Sequence, residues 1–425
     1  MQSLKLPAAL RPLAVRDFGR LWAAVGLGLL GDGVFLVAAA WQAYRLSNSP
    51  GALAAVGVAW TLPQVLLLLL GGVLGDRADR RTVLYASTAL RAASLGATGA
   101  LAASGALRPW SLVALVVLYG TGEALFAPAF GAIVPQLVPE RMLLEANALD
   151  SVLRPVAQRL IGPALGGAAI AAVGAPGAFL AAAAAFAVSA AVLGRIRACP
   201  PGEASAAGVV PELREGLRFV RAQVWLLGTL LVAAAVMFLI YGPLQVLLPF
   251  IVKNGLHGSA ATLGLVLAVY GGGAVVAALA LAARGGGRPR LAHVYASWAV
   301  AIAAMGGYAL AANVWEAMIA AAVSGAALAV ANVAWTTLLQ THVPGRLLAR
   351  VTSVDWFVST SLAPLSFAAT GPVAAALGAR TTLLAAALAG GAVMGLAALA
   401  AWTRRLGAQQ ALRLPRESAE AGSPG

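Results

Sequence analysis

Residues 224–252 read VWLLGTLLVAAAVMFLIYGPLQVLLPFIV, from Val224 to Val252, without one charged side chain. A helix that crosses the roughly 30 Å of bilayer hydrocarbon needs about 20 mostly apolar residues. This stretch exceeds that length, and it is not alone. Residues 317–345 and 381–403 also lack charge. So do residues 160–194, which Gly174-Ala175-Pro176-Gly177 divides with a turn signal. Working outward gives twelve predicted spans: 18–44, 51–74, 82–104, 110–133, 147–173, 177–196, 224–251, 259–283, 291–311, 315–340, 350–376 and 380–403. No alternating strand pattern competes, so the expectation is an all-α membrane protein. The first apolar run is too long for a cleavable signal peptide, and no small-residue cleavage site ends it convincingly.

Composition agrees. Of 425 residues, 61% are hydrophobic and 10% charged, against roughly 25% charged in a soluble domain. Mean hydropathy is +0.87. So few charges cannot cover a soluble surface, which excludes a cytosolic enzyme, a secreted domain and a disordered chain. The single cysteine, Cys199, excludes an internal disulfide framework and a multi-cysteine metal site. His257, His293 and His342 are too scattered for a metal motif. No G-x-x-x-x-G-K-[ST] loop is present, and no Ser/His/Asp or Cys/His set is credible. No enzyme activity, metal or cofactor is expected.

The net charge is +14. If the N-terminus is cytoplasmic, 22 Lys and Arg fall on the inner side, 4 on the outer side and 3 within spans. That asymmetry predicts an inner-membrane protein with both termini cytoplasmic. The inner basic residues are dispersed over seven short segments, so no nucleic-acid face is expected.

The longest polar interruption lies mid-chain. It predicts a 1–196 six-helix bundle, a 197–223 cytoplasmic linker with an amphipathic helix, a 224–403 second bundle and a 404–425 cytoplasmic tail. The halves echo each other. Val138-Pro139-Glu140-Arg141-Met142-Leu143 precedes span 5, and Val343-Pro344-Gly345-Arg346-Leu347-Leu348 precedes span 11. The offset is 205 residues, and it also relates Asp150 to Asp355. A duplicated six-helix unit is the reading.

Between spans 2 and 3 stands Gly71-Gly72-Val-Leu-Gly75-Asp76-Arg77-Ala-Asp79-Arg80-Arg81. It resembles the loop 2–3 signature of the major facilitator superfamily. Arg16-Asp17-Phe18-Gly-Arg20-Leu21-Trp22, Leu30-Gly31-Asp32, Pro128-Ala129-Phe130, Glu145-Ala146-Asn147-Ala148-Leu149 and Gly162-Pro163-Ala164-Leu165-Gly166-Gly167 look like a narrower branch. That branch is the transmembrane secretion effector group, with the enterobactin exporter and drug and macrolide efflux proteins. The resemblance is strong over 16–196 and weaker beyond, where Arg284-Gly-Gly-Gly-Arg288-Pro-Arg290 lacks the acids of the first loop. It implies two pseudo-symmetric six-helix bundles around a cavity that opens alternately to each side. It also implies a cytoplasmic gate built from Gly72, Asp76, Arg77, Arg80 and Arg81, latched near Asp355 when the outer side is open. A positive-inside topology signal is the other reading of the same residues.

Charge within hydrocarbon is costly, so charged positions inside spans are candidate functional residues. Asp32 lies about 18 Å along span 1 from Arg20, and Glu123 about 20 Å along span 4 from Trp110, at 1.5 Å per residue. Both are near mid-depth and are the candidates for proton coupling, since loss of water disfavours the charged form of an acid. A carboxylate fixed beside an arginine would instead stay ionised and hold helices together. Arg91, Asp150, Arg154 and Arg159 are the buried charge partners. Asp150 and Arg154 can pair at i, i+4, whereas Arg159 points elsewhere. Phe35, Trp60, Gln64, Phe126 and Tyr241 are candidate cavity residues, as are Gln245, Tyr270, Asn332, Trp335 and Trp356. Together they suggest a large, apolar, poorly specific site.

The resulting expectation is a secondary transporter that exports amphipathic or apolar small molecules in exchange for protons. It is expected to work as a monomer whose partners are the substrate, protons and the lipid bilayer. Two other readings stay open: a dedicated transporter of one siderophore, sugar or lysolipid, and a membrane protein that binds or senses without transport.

Overall fold

The computed structural model describes residues 8–75, 79–197, 209–283 and 290–403. Every regular element among them is helical: a short 3-10 turn, Ala8–Ala14, and then helices α1 (Arg16–Leu46), α2 (Pro50–Gly75), α3 (Arg80–Ala103) and α4 (Pro109–Leu137). Next come α5 (Leu143–Arg154), a π turn (Pro155–Ile161) and α6 (Gly162–Leu193). A shorter α7 (Val209–Ala222) precedes α8 (Val224–Phe250), whose last turn, Ile251–Gly255, is again π. The remainder is α9 (Ala260–Ala283), α10 (Leu291–Leu310), α11 (Val314–His342), α12 (Gly345–Ser361), α13 (Ala363–Leu377) and α14 (Ala379–Thr403).

Local chemistry sets the ends. Asp79 caps α3 by accepting from the Thr82 amide at 2.8 Å. Asn313 caps α11 by accepting from the Glu316 amide at 3.0 Å, and Glu316 reaches back to the Ala312 amide at 2.7 Å. Gly378, at φ 83°, separates α13 from α14. The expected turn at 174–177 is a sharp break within α6, where Gly174 takes φ 72°.

Nine helical stretches among the described residues are long and apolar enough to cross a membrane. One of them, Glu140–Leu193, runs for 54 residues and contains the Gly174 break. Two expected spans fall outside the nine. α3 carries Arg80, Arg81 and Arg91, and α10 carries His293, Tyr295, Trp298 and Tyr308, which lower their hydropathy.

α1 packs on α6 and its preceding π turn, α3 on α4 and α6, and α2 on α4. α9 and α10 pack on α11, α10 on α14, and α8 on α13 and α14. The two groups meet where α6 and the π turn cross α9, and where α2 crosses α13. The 205-residue offset also relates two helices. α4 and α11 each have 29 residues, and both their first and their last residues are 205 apart. Helix crossings are tight because glycines remove side chains. Gly33 faces Gly162 at the α1–α6 crossing, and Gly242 faces the Ser366 backbone at the corresponding α8–α13 crossing.

Candidate functional site

Asp32 on α1 meets Arg91 on α3, with Nη1 donating to Oδ1 at 3.1 Å. The same oxygen accepts from the Tyr119 hydroxyl on α4. The side chains of Arg91 and Asp32 are only 3% and 11% exposed. Phe126 and Phe186 flank the guanidinium, with ring centroids 4.9 and 4.5 Å from Cζ. Gly122 makes this possible, because a Cβ there would sit 2.7 Å from Arg91 Cγ. Asp32 is therefore held between a guanidinium and a phenol hydroxyl and ties α1 to α3 and α4.

Glu123 stands one turn beyond Tyr119 on α4, and its surroundings differ. Trp60 Nε1 on α2 donates to Glu123 Oε2 at 2.5 Å, and Gln64 Nε2 approaches the same oxygen at 3.3 Å. Among the described residues no cation pairs with Glu123. Phe35 links the two acids: its ring lies 4.0 Å from Tyr119 and 6.3 Å from Trp60, centroid to centroid.

Phe35 and Trp60 open onto a cavity whose far wall is Gln245 and Leu248 of α8, Leu263 and Leu267 of α9, and Phe367 of α13. Tyr241 packs edge-on against Phe367 with centroids 5.5 Å apart. The end of the molecule that carries residues 46–50 is closed between the groups. Tyr44 donates its hydroxyl to the Val246 carbonyl at 2.6 Å, and Lys253 donates to the Tyr44 carbonyl at 2.8 Å and to Asn48 Oδ1 at 3.0 Å. Asn48 and Asn254 exchange amide hydrogen bonds at 3.0 and 3.2 Å.

The other expected residues scatter. Asp150 pairs with Arg154 at 2.8 Å, as the i, i+4 spacing predicts, and Arg154 lies over Phe130. Arg159 is exposed and has no ion pair or hydrogen bond among the described residues. Asp355 accepts from Trp335 Nε1 at 3.0 Å. Asn332 accepts from Trp298 Nε1 at 3.4 Å, so Asn332 and Trp335 belong to an aromatic cluster with Trp225 and Trp298. Trp356 is 65% exposed. Of the gate motif, Asp76 and Arg77 lie outside the described residues, and Gly72 is described only as part of α2. Arg80 opens α3, and Arg81 donates to the Ile196 carbonyl at 3.2 Å. Tyr119, Phe186 and the Asn48–Lys253–Asn254 clamp were not singled out from sequence. Tyr119 was accessible, as the hydroxyl four residues before Glu123 on one helical face.

Solved membrane transporters share this fold. The nucleoside transporter NupG aligns with a TM-score of 0.71 at 12% identity, covering 91% of this chain and 99% of NupG. A bacterial homologue of the human lysosomal transporter Spinster, inward-facing and unoccupied, aligns with a TM-score of 0.68 at 17% identity, over 93% and 98% of the two chains. The chain belongs to the transmembrane secretion effector family, whose model matches residues 7–419. It is a major facilitator superfamily transporter and not an enzyme. Relatives include the uncharacterized transporter YfiS of Bacillus subtilis, 29% identical over 52% of this chain and only 53% of YfiS, so the match spans about half of that protein. Macrolide efflux protein A of Streptococcus pyogenes is 24% identical over 66% of this chain and 69% of its own length. The multidrug efflux pump Tap of Mycolicibacterium fortuitum is 29% identical over 87% and 91%.

Proposed function

We propose that the chain exports amphipathic or apolar small molecules in exchange for protons, by alternating access. Glu123 carries the reading. It is a carboxyl directly behind Trp60 of the cavity wall, held by an indole and an amide and, among the described residues, by no cation. Such a group can bind and lose a proton without breaking an ion pair. Asp32, tied to Arg91 and Tyr119, is assigned to holding α1, α3 and α4 together. The cavity's largely apolar lining suits an apolar or amphipathic cargo, and relatives named as efflux proteins support export.

The proposed architecture has twelve spans in two six-helix units, 1–196 and 224–403, joined by 197–223 and followed by the 404–425 tail. α5, the π turn and α6 up to Gly174 form one span, the rest of α6 the next, and α12 with α13 another. The matched lengths of α4 and α11 support the duplication. The 46–50 end is assigned to the outer face and both termini to the cytoplasm of the inner membrane, so the proposed state is closed on the outside. The clamp between Asn48 and Asn254 supports that state. The transporter is proposed to act as a monomer.

The test is reconstitution into proteoliposomes loaded with ethidium, with a pH difference imposed across the membrane. Ethidium moves against the proton flow when protons are supplied, and a protonophore stops it. Flux indifferent to the pH difference would overturn the exchange.

A further inference from the structure

The exchange reading leaves one charged side chain of the spans unused. Arg91 and Arg154 have acidic partners at 3.1 and 2.8 Å, but Arg159 has none among the described residues. An ionisable group at that depth without a partner is expected to serve a ligand or ion path. Its backbone setting is unusual too. It sits in the π turn Pro155–Ile161, an irregularity that recurs at functional sites.

The second helix group comes against this turn. A Cβ at Gly271 of α9 would overlap the Arg159 carbonyl oxygen, so the two backbones touch. Tyr270 is the residue beside Gly271, and Arg159 acts electrostatically on both Tyr270 and Tyr241. By helical register these tyrosines stand next to the cavity wall. Leu263 and Leu267 line it from α9, and Tyr270 follows at the next helical position of the same face. Leu244, Gln245 and Leu248 line it from α8, and Tyr241 stands one turn away on that face. Glu123 also acts on Tyr241. Thus beside the cavity an acid, a guanidinium and two tyrosine hydroxyls of the opposite helix group stand within electrostatic reach of one another.

We propose that Arg159, with the hydroxyls of Tyr241 and Tyr270, forms an oxyanion subsite that takes a carboxylate of the transported molecule. A guanidinium matches a carboxylate with two parallel N–H bonds, and the hydroxyls can donate to the same oxygens. The proposal rests on the cavity's taking a small molecule. It adds that the cargo carries an acidic group, and that cargo with both an amine and an acid would engage Glu123 and Arg159 together. Because the tyrosines and Arg159 come from different groups, bound anion would bridge the two in the state closed on the outside.

The test uses two probes of nearly equal shape, 1-naphthoate and neutral 1-naphthamide, with purified full-length protein in a neutral detergent and equilibrium dialysis as the readout. The expected result is about tenfold tighter binding of 1-naphthoate, a typical gain for a charge-assisted pair. Arg159→Gln abolishes that preference and leaves 1-naphthamide binding unchanged, Arg159→Lys keeps part of it, and Tyr241→Phe weakens it less. Equal binding of both probes by the wild type, binding of neither, or a preference that survives Arg159→Gln would overturn the subsite. So would loss of ethidium exchange in Arg159→Gln with no naphthoate preference in the wild type, which would make Glu123 the partner of Arg159. Naphthoate preference with no pH-driven ethidium exchange would leave the subsite standing and overturn only the exchange reading.

Discussion

Gly120 and Gly325, 205 residues apart, occupy the same crossing in the two helix groups: each lies against the carbonyl of an aromatic residue, Trp60 for the first and Tyr270 for the second. A Cβ on either would overlap that oxygen, and the oxygen belongs to a helix backbone that cannot swing aside. Gly120→Ala and Gly325→Ala are each expected to lower stability by about 1–3 kcal/mol through overpacking. Gly131→Ala and Gly228→Ala, where a Cβ meets nothing within 4 Å, are expected to be neutral or stabilising by up to about 1 kcal/mol. Thermal unfolding of the four variants in detergent checks this. Equal effects at all four sites would contradict the packing account.

Removing Arg91 strands Asp32 in a low-dielectric interior. Arg91→Met is expected to destabilise by roughly 3–5 kcal/mol, the usual cost of breaking a buried pair from one side. Adding Asp32→Asn should recover a substantial part, because the stranded charge goes with it. A double variant as unstable as the single one would show that the pair is not what Arg91 contributes.

Glu123 and Asp32 are expected to separate functionally. Glu123→Gln has nothing to titrate behind the cavity wall, so ethidium flux should run downhill only and ignore an imposed pH difference. Asp32→Asn, when it folds, should move ethidium more slowly but still respond to pH. If Asp32→Asn loses the pH response while Glu123→Gln keeps it, the two assignments are reversed.

The clamp at residues 46–50 holds one end shut. Asn48→Ala with Lys253→Ala removes hydrogen bonds to Asn254 and to the Tyr44 carbonyl. The expected outcome is a shift toward opening at that end. Labelling reads this out: with Cys199 replaced by serine and a cysteine in place of buried Ala39 on the cavity wall, a membrane-impermeant maleimide should react several-fold faster from the 46–50 side in the double alanine variant. Unchanged labelling would mean that the helix crossings, not the clamp, hold that end closed.

The helical, membrane-crossing character was legible because water-facing surface demands charge and hydrocarbon repels it, so a charge-free run as long as 224–252 belongs in a bilayer. The turn at 174 was legible from Gly174 and Pro176, and the duplication from Val138-Pro139 and Val343-Pro344. The acids were found by depth alone, so Asp32 and Glu123 looked equivalent until their neighbours were known. What distinguishes them comes from other helices: Arg91 and Phe186 around one, Trp60 around the other. Spacing along one helix could have supplied only Tyr119. The aromatic cavity set divided for a similar reason. Phe35 and Trp60 reach the cavity wall, whereas Trp335 and Asn332 point into a cluster with Trp298, since an aromatic on a membrane helix satisfies packing as readily as a ligand. Asn48 and Asn254 are 206 residues apart, and no local pattern connects them.

The crossings of Gly167 and Gly264 with their neighbours bring bare main chain against main chain where the two helix groups meet. Such a surface has no protruding side chains to interlock, so its fit does not depend on the side chains at Phe35, Gln245 or Leu267 of the cavity wall. Residues lining the chamber can therefore be exchanged without disturbing the seam between the groups, so the chamber's chemistry is free to change on an unchanged frame.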